Sequence, residues 1–288
     1  MMMHSTNQQK HKIADDLTTH TQFLNALKNE AHVCLAFVER HSDPKLLAWY
    51  RDLLSEEERE KHKNFYFVRD RDLYLLTHGL VRTTLSKYLK IDPGKLVFTN
   101  TGYGRPEIAQ SEGDPQIRFS VSRSHGLVAC LIVLSIDAGV DVERIRKLDN
   151  LKTLSEDVFT YLEISRFRDL SENDQMEGFF TLWTLKEAYI KARGIGFSLP
   201  LNRFSFYFDA ARCIRIFVSP ELQDTPSNWQ FASYRPKRSH TIAVALRRKD
   251  RPDLRIRFFE AIPELNSISF QDLRQRPLEN LKGLTLNS

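Results

Sequence analysis

Residues 183–196 read WTLKEAYIKARGIG, a helix-forming stretch that sets Glu187 between Lys186 and Lys191 and then runs into a glycine-bearing turn. On a helix, Leu182, Leu185 and Tyr189 fall on one stripe, while Glu187 and Lys191, four residues apart, share the opposite side. Taken alone, that spacing is accounted for by an ion pair worth roughly 0.3–0.5 kcal/mol on a solvated face. The following ARGIGFSLPL adds glycines at which backbone approaches a ligand closely.

Some forty residues upstream lies GVDVE, 139–143. In a strand, side chains two apart project to one side, so Asp141 and Glu143 point together and Val140 and Val142 face the other way. By itself the pair is as well explained by acids facing solvent. Two adjacent carboxylates repel, and a hard divalent cation relieves that cost; Mg²⁺ takes one or two carboxylates together with phosphate oxygens and water. Glu187 supplies a third carboxylate, able to complete such a site or to take a proton, with Lys186 and Lys191 offering charge to phosphate.

Around these motifs helix and strand patterns alternate, which predicts a mixed α/β architecture. VCLAFVER (33–40) reads as a first strand. SEEEREKHKNF opens on a capping box, Ser55 with Glu58, and DLYLLTHGLVRTTLSKYL is an amphipathic helix carrying Arg82. IRFSVSRSHGLVACLIVL predicts two strands meeting near His125 and Gly126, the second apolar on both faces and therefore buried. A helical region spans about 150–170. FSFYFD, CIRIFVS, WQFASYR and TIAVALRR read as strands of a second sheet, to which DLRIRFF adds another. Residues 1–20 are polar and expected to be disordered, and the last twenty are too polar to place.

At 288 residues and 41% hydrophobic the chain can bury its own core. A net charge of +5 and a pI near 9.0 favour an acidic partner without choosing one. Cys34, Cys130 and Cys213, with no CxxC, suggest buried thiols in a reducing compartment. The longest apolar run, Leu127 to Leu134, is far too short to cross a bilayer, and MMMHSTNQQKHK lacks a signal-peptide core, so a cytoplasmic protein is expected. GYGRPE and GIGF lack the spacing of P-loop or dinucleotide fingerprints. No nucleic-acid recognition motif is present either.

GVDVE followed by FFTLWTLKEAYIKARGIGFSLPL resembles the paired signatures of the Sfp-type 4′-phosphopantetheinyl transferases. REKHKNFYF, GLVRTTLSKYL, GYGRPEI and FSVSRSHGLVACLIV extend the resemblance in the family's order, from about Leu54 to Leu246. It implies two similar α/β halves forming a monomeric pseudo-dimer: an N-terminal, coenzyme A-binding half at 21–137, a C-terminal half with the metal and catalytic motifs at 138–248, and an extension at 249–288. It also implies the activity, Mg²⁺-dependent transfer of the phosphopantetheine arm of coenzyme A to a serine of an apo carrier protein, with release of 3′,5′-ADP. The carrier is of the fatty-acid, polyketide or non-ribosomal peptide type. The competing reading is a coenzyme A or carrier-binding module with weakened catalysis.

By position, the resemblance assigns Asp141, Glu143 and Glu187 to Mg²⁺ and makes Glu187 the base for the carrier serine. Lys186 and Lys191 fall near the phosphates. Lys61, Arg82, Arg105 and Ser122 fall among the coenzyme A contacts, Arg105 where the family usually has lysine. The chain departs from the family where FSVSRS replaces Phe-Asn-x-Ser-His-Ser, which puts Ser120 for the asparagine and Arg123 for a phosphate-contacting histidine. Arg123 carries a permanent charge suited to that phosphate, and His125 is the alternative. Glu58 falls where some members carry a phosphate-binding lysine. An acidic carrier helix is expected on VFTYLEISRFRDL, near Arg166 and Arg168.

Overall fold

The computed structural model describes residues 21–102, 104–110, 116–196, 199–264 and 267–273; the polar tail at 1–20 and the chain beyond 273 lie outside the described residues. One arrangement of elements occurs twice. The first runs β1 (Glu30–Phe37), α1 (Pro44–Asp52), α2 (Glu56–Lys63), α3 (Val68–Leu89), a short hairpin β2 (Phe98–Asn100) and β3 (Pro106–Ile108), then a long hairpin β4 (Ile117–Ser124) and β5 (Leu127–Leu134). The second runs β6 (Asp137–Arg144), α4 (Leu151–Val158), α5 (Tyr161–Arg168), α6 (Glu172–Arg193), β7 (Phe204–Phe208) and β8 (Ile214–Val218), then β9 (Trp229–Lys237) and β10 (His240–Arg247). In each, the first strand pairs antiparallel with the last, which pairs with the one before it, giving β1-β5-β4 and β6-β10-β9.

Helix boundaries follow from end chemistry. The Ser55 hydroxyl accepts from the Glu58 amide while the Glu58 carboxylate accepts from the Ser55 amide. Acids in the first turn of α2 and bases in the last suit the helix dipole. A second capping box, Thr160 with Glu163, starts α5 and divides the expected 150–170 helix in two. α3 and α6 are 22 residues each and both end on a left-handed residue, Lys90 and Gly194.

Apolar side chains sort into three layers. One face of the first sheet packs on α1 and α3, through Cys34, Ala36, Leu75 and Leu80. The second sheet packs on α6, through Ala243, Ala245, Leu185 and Tyr189. The remaining faces meet between the sheets, where Val33, Leu35 and Leu131 share a core with Val140, Val142 and Val244. Strands β1, β5, β6 and β10 are therefore covered on both sides, which explains their near-continuous apolar runs.

Three expectations are corrected here. FSFYFD and CIRIFVS form β7 and β8, which pair with each other in a separate two-stranded sheet rather than joining the second sheet. DLRIRFF forms β11 (Arg255–Glu264), which joins the first sheet rather than the second, parallel to β1; β12 (Ser267–Leu273) then pairs with β11, giving β12-β11-β1-β5-β4. Without them β1 would be an open edge with unpaired backbone groups. Among the cysteines, Cys34 and Cys130 are buried but Cys213 is exposed.

The halves join along β4 and β6. The hydroxyls of Ser120, Ser122 and Ser124 accept from the amides of Val140, Val142 and Arg144, at 3.1, 3.3 and 2.9 Å. Helix α6 crosses β6 at Gly139, where an added Cβ would lie 2.1 Å from the Ala188 carbonyl oxygen and 2.6 Å from the Ala192 nitrogen. Both are backbone atoms of the helix that carries Glu187 and Lys191. We expect Gly139→Ala to destabilise the fold by about 3 kcal/mol. Thermal unfolding checks this; an unchanged midpoint would show that the helix has room to move.

Candidate active site

Asp141 and Glu143 leave β6 on the side opposite Val140 and Val142, as strand alternation requires, and face the β4 serines and α6. Asp141 is 5% exposed. The Ser122 hydroxyl donates to Asp141 Oδ1 at 2.8 Å and the Ser124 hydroxyl to Glu143 Oε2 at 3.1 Å. The serines that stitch the halves together thus also aim both carboxylates. Period-two serines in FSVSRS opposite period-two acids in VDVE are the sequence signal for this role of Ser124, a residue absent from the expected set.

Helix α6 brings Glu187 and Lys191 to the same place. Lys191 turns across the seam rather than along the helix: its ammonium donates to Asp141 Oδ1 at 2.7 Å, to the Ser122 hydroxyl at 3.0 Å and to the Val140 carbonyl at 3.3 Å. The pair of Glu187 with Lys191 suggested by spacing gives way to this longer-range one.

All three acids hold protons more tightly than ordinary carboxylates. Burial raises Asp141, against the pull of Lys191. Burial and then the Asp141 charge raise Glu143. The same two causes, with Glu143 added, raise Glu187, again opposed by Lys191. These carboxylates therefore feel one another across the seam. Among the described residues no three Asp, Glu, His or Cys side chains are already gathered at ion-holding distance. Yet Asp141 Oδ2 and Glu187 Oε1 are both buried and find no hydrogen-bond partner among the described residues. Buried carboxylate oxygens without donors are costly, and an all-oxygen set of acids is the chemistry a hard divalent cation prefers. The residues fit Mg²⁺.

Beside them lies a cavity of about 240 Å³ lined by Arg105, Ser120, Glu187, Ile190, Lys191 and Gly194, among others. Gly194 has φ +68°, and a Cβ there would sit 3.4 Å from Arg105 Nη1. The glycine ends α6 in the left-handed conformation and lies alongside the guanidinium. Arg105 makes no ion pair with another described residue, so its charge is available to the cavity.

Other expected residues are placed elsewhere. Lys186 is fully buried, 0% exposed, on the far side of α6. Its ammonium pairs with Glu163 at 2.8 Å, donates to the Leu201 and Phe204 carbonyls, and lies over the Phe204 ring. One residue before Glu187 means about 100° around the helix, which turns Lys186 into the core of its half. Arg82 has the corresponding place in the first half. It is 2% exposed, pairs with Glu58 at 2.7 Å, donates to the Pro93 and Leu96 carbonyls, and lies over Phe98. Glu58 is its counter-ion: burial pushes that carboxyl up, but bonds from His78, the Ser55 amide and Arg82 bring it down to about 2. Lys61 is exposed and pairs with Glu57 at 2.7 Å on α2.

Arg123 is exposed at the end of β4, where its charge is felt by Tyr74 on α3. The exposed His125 caps the β4–β5 turn, its carbonyl accepting from the buried His240 ring at 2.7 Å. Alternation sends Arg123 to the face opposite Ser122, so the two do not converge.

Residues 42–133 match a model described as 4′-phosphopantetheinyl transferase, N-terminal, and residues 137–245 match the 4′-phosphopantetheinyl transferase superfamily. The two models meet at the turn between β5 and β6. The 4′-phosphopantetheinyl transferase Sfp of Bacillus subtilis (strain 168) is 29% identical over 208 residues, covering 71% of this chain and 87% of the relative. The HetI transferase of Nostoc is 31% identical over 143 residues, covering 50% of this chain and 60% of the relative's length. The human L-aminoadipate-semialdehyde dehydrogenase-phosphopantetheinyl transferase is 25% identical over 213 residues, 68% of each. With both halves matched in order and the acids of β6 and α6 within the matched region, the chain belongs to the 4′-phosphopantetheinyl transferase superfamily.

Proposed function

We propose that this chain transfers the 4′-phosphopantetheine arm of coenzyme A to the serine hydroxyl of an apo carrier protein, with Mg²⁺, releasing 3′,5′-ADP. It does so as a cytoplasmic monomer whose halves are 21–137 and 138–248, with 249–288 as an extension. The observation that carries this reading is the pair of buried, unpartnered oxygens, Asp141 Oδ2 and Glu187 Oε1, beside a cavity that also presents Arg105 and Lys191.

Asp141, Glu143 and Glu187 would hold the cation. When bound, it supplies charge to the pyrophosphate oxygens and so lowers the barrier to phosphoryl transfer. Glu187, raised by burial and by its acidic neighbours, takes the proton of the attacking serine, a task suited to a carboxyl tuned toward neutral pH. Ser122 and Ser124 orient Asp141 and Glu143. Arg105 and Lys191 offset charge developing on the 5′-phosphate of the departing 3′,5′-ADP, Arg105 by a bidentate grip. Arg123, or His125 beside it, addresses a peripheral phosphate of coenzyme A.

The carrier is of the fatty-acid, polyketide or non-ribosomal peptide type, and its acidic helix meets the start of α5. There Tyr161 and Leu162 are 84% and 53% exposed, close in sequence to Arg166 and Arg168. Among the described residues no helix is long and apolar enough to cross a membrane.

Intact-mass measurement of a panel of apo carriers incubated with this chain, coenzyme A and Mg²⁺ tests the proposal. A gain of one phosphopantetheine is expected and should vanish with EDTA. Binding of coenzyme A or carrier without any mass gain would return the weakened binding module. Within the same assay, Arg105→Ala should raise the KM for coenzyme A by about tenfold or more while leaving the KM for carrier unchanged, because a charged hydrogen bond to the phosphates is lost. Equal effects on both would place Arg105 outside the coenzyme A site.

A further inference from the structure

Lys191 stands four residues after Glu187, the spacing at which an acid and a base on one helix face usually pair. Its ammonium instead spends all three donors across the seam, on Asp141 Oδ1, the Ser122 hydroxyl and the Val140 carbonyl. Held there, it has no hydrogen left to give a phosphate. Yet the side chain is 32% exposed and lines the 240 Å³ cavity that also holds Arg105. The carboxylate it grips is also the one whose second oxygen, Oδ2, is buried and unpartnered next to the Glu187 charge. Asp141 is thus asked to serve two cations, one on each oxygen.

On the reading of the site given above, we propose that Lys191 is an exchangeable counter-ion. It neutralises Asp141, and when a divalent cation is taken up by Asp141 and Glu187 it is released into the Arg105 cavity, where it can bind a phosphate. Two cations on one carboxylate repel, and a divalent ion outweighs an ammonium at similar distance. The released ammonium would enter a cavity that already presents a guanidinium, which is unfavourable unless an anion sits between them. Cation and phosphate therefore favour each other's binding, and by linkage the coupling is the same in both directions. The lysine becomes a phosphate ligand only with the cation in place.

The exchange can be read in the wild-type chain without turnover, by labelling lysines with an amine-acylating reagent and measuring each peptide by mass spectrometry. Lys152, exposed on α4, is the internal reference. We expect Lys191 to label slowly, to label several times faster when Mn²⁺ is added, and to be protected again when coenzyme A follows. Mn²⁺ binding with unchanged or slower Lys191 labelling overturns the exchange and leaves the proposed function standing. If wild-type chain binds no Mn²⁺ at all, the reading of the site fails and the exchange with it.

A variant gives an independent reading. Lys191→Met, checked for a native circular-dichroism spectrum, should bind Mn²⁺ about tenfold tighter than wild type in the absence of coenzyme A, and lose most of the Mn²⁺–coenzyme A coupling. Lys191→Arg, able to grip Asp141 with two N–H groups, should bind Mn²⁺ more weakly. Equal Mn²⁺ affinity in all three would show that Lys191 does not compete for the site.

Discussion

Glu187→Gln is expected to reduce phosphopantetheine transfer about a thousandfold or more, because in the proposed mechanism one substitution removes both the base for the carrier serine and a cation-holding carboxylate. The fold should survive and become more heat-stable. Glu187 is held above the ordinary glutamate range by burial, then by Asp141 and Glu143, so its ionised form is costly in the folded protein. For a raised carboxyl, the stabilising contribution is complete below the unfolded value of about 4.3 and is lost as pH rises through the folded value. At pH 7–8 the wild type therefore lacks that stabilisation, and glutamine removes the penalty. A gain of about 1 kcal/mol, or roughly 2–4 °C in Tm, is the expected scale. Differential scanning calorimetry across pH 4–8 should show the wild type losing stability relative to the variant as pH rises. Full transfer activity in the variant would exclude Glu187 from the chemistry.

Lys186→Met is expected to act on the fold instead. The ammonium is fully buried and Glu163, its partner, is 1% exposed. Removing one member of such a pair strands the other charge in the core, at a cost of roughly 3–5 kcal/mol. For a chain of this size that lowers Tm by about 10 °C. Adding Glu163→Gln to Lys186→Met should recover part of the loss, since the stranded charge is gone. Coenzyme A affinity of the fraction that remains folded should match wild type. A stable Lys186→Met with weakened coenzyme A binding would restore Lys186 to the phosphates. Of the two lysines that bracket Glu187, one is thus buried in the core of its half and the other lines the cavity. The sequence presents them as equals.

Much of the architecture could be read from local pattern. The hairpin of β4 and β5, the capping box at Ser55 and the strands β7 to β10 all follow from alternation and end chemistry that neighbouring residues decide. The pairing of β11 with β1 did not follow, because it is set by which edge is left open 225 residues away, Glu30 facing Arg255. The internal repeat was equally hidden. Ser55, Glu58 and Arg82 do in the first half what Thr160, Glu163 and Lys186 do in the second, with the chemistry kept and the residue identities changed. That hidden equivalence also explains why Arg82 and Lys186 look like ligand-binding cations in sequence: both are charged residues on helices otherwise rich in apolar side chains, and nothing local reveals a buried partner two dozen residues earlier.

Within the candidate site, strand alternation and the family pattern agree on Asp141 and Glu143, whereas Glu187, on helix α6, is singled out by the family pattern and by its turn into glycines. Lys191 was legible as a member, but its direction was not, since spacing favours Glu187 as its partner and only the tertiary seam supplies Asp141. The repeat also shows that the first half carries no acid in the position of Asp141. Counting back from the residues that face Leu127 and His240, Cys34 occupies in β1 the place of Asp141 in β6. In the first half that place is apolar core, and burial raises the Cys34 thiol well above its usual value.

Binding of Mn²⁺ tests most directly whether three acids from two elements form one cation site. Electron paramagnetic resonance of the full chain titrated with Mn²⁺ should show one bound ion per chain in the wild type, and affinity at least tenfold weaker in Asp141→Asn and in Glu187→Gln. Wild-type affinity in either variant would mean that Asp141 and Glu187 do not share an ion, and the account of the site would be wrong.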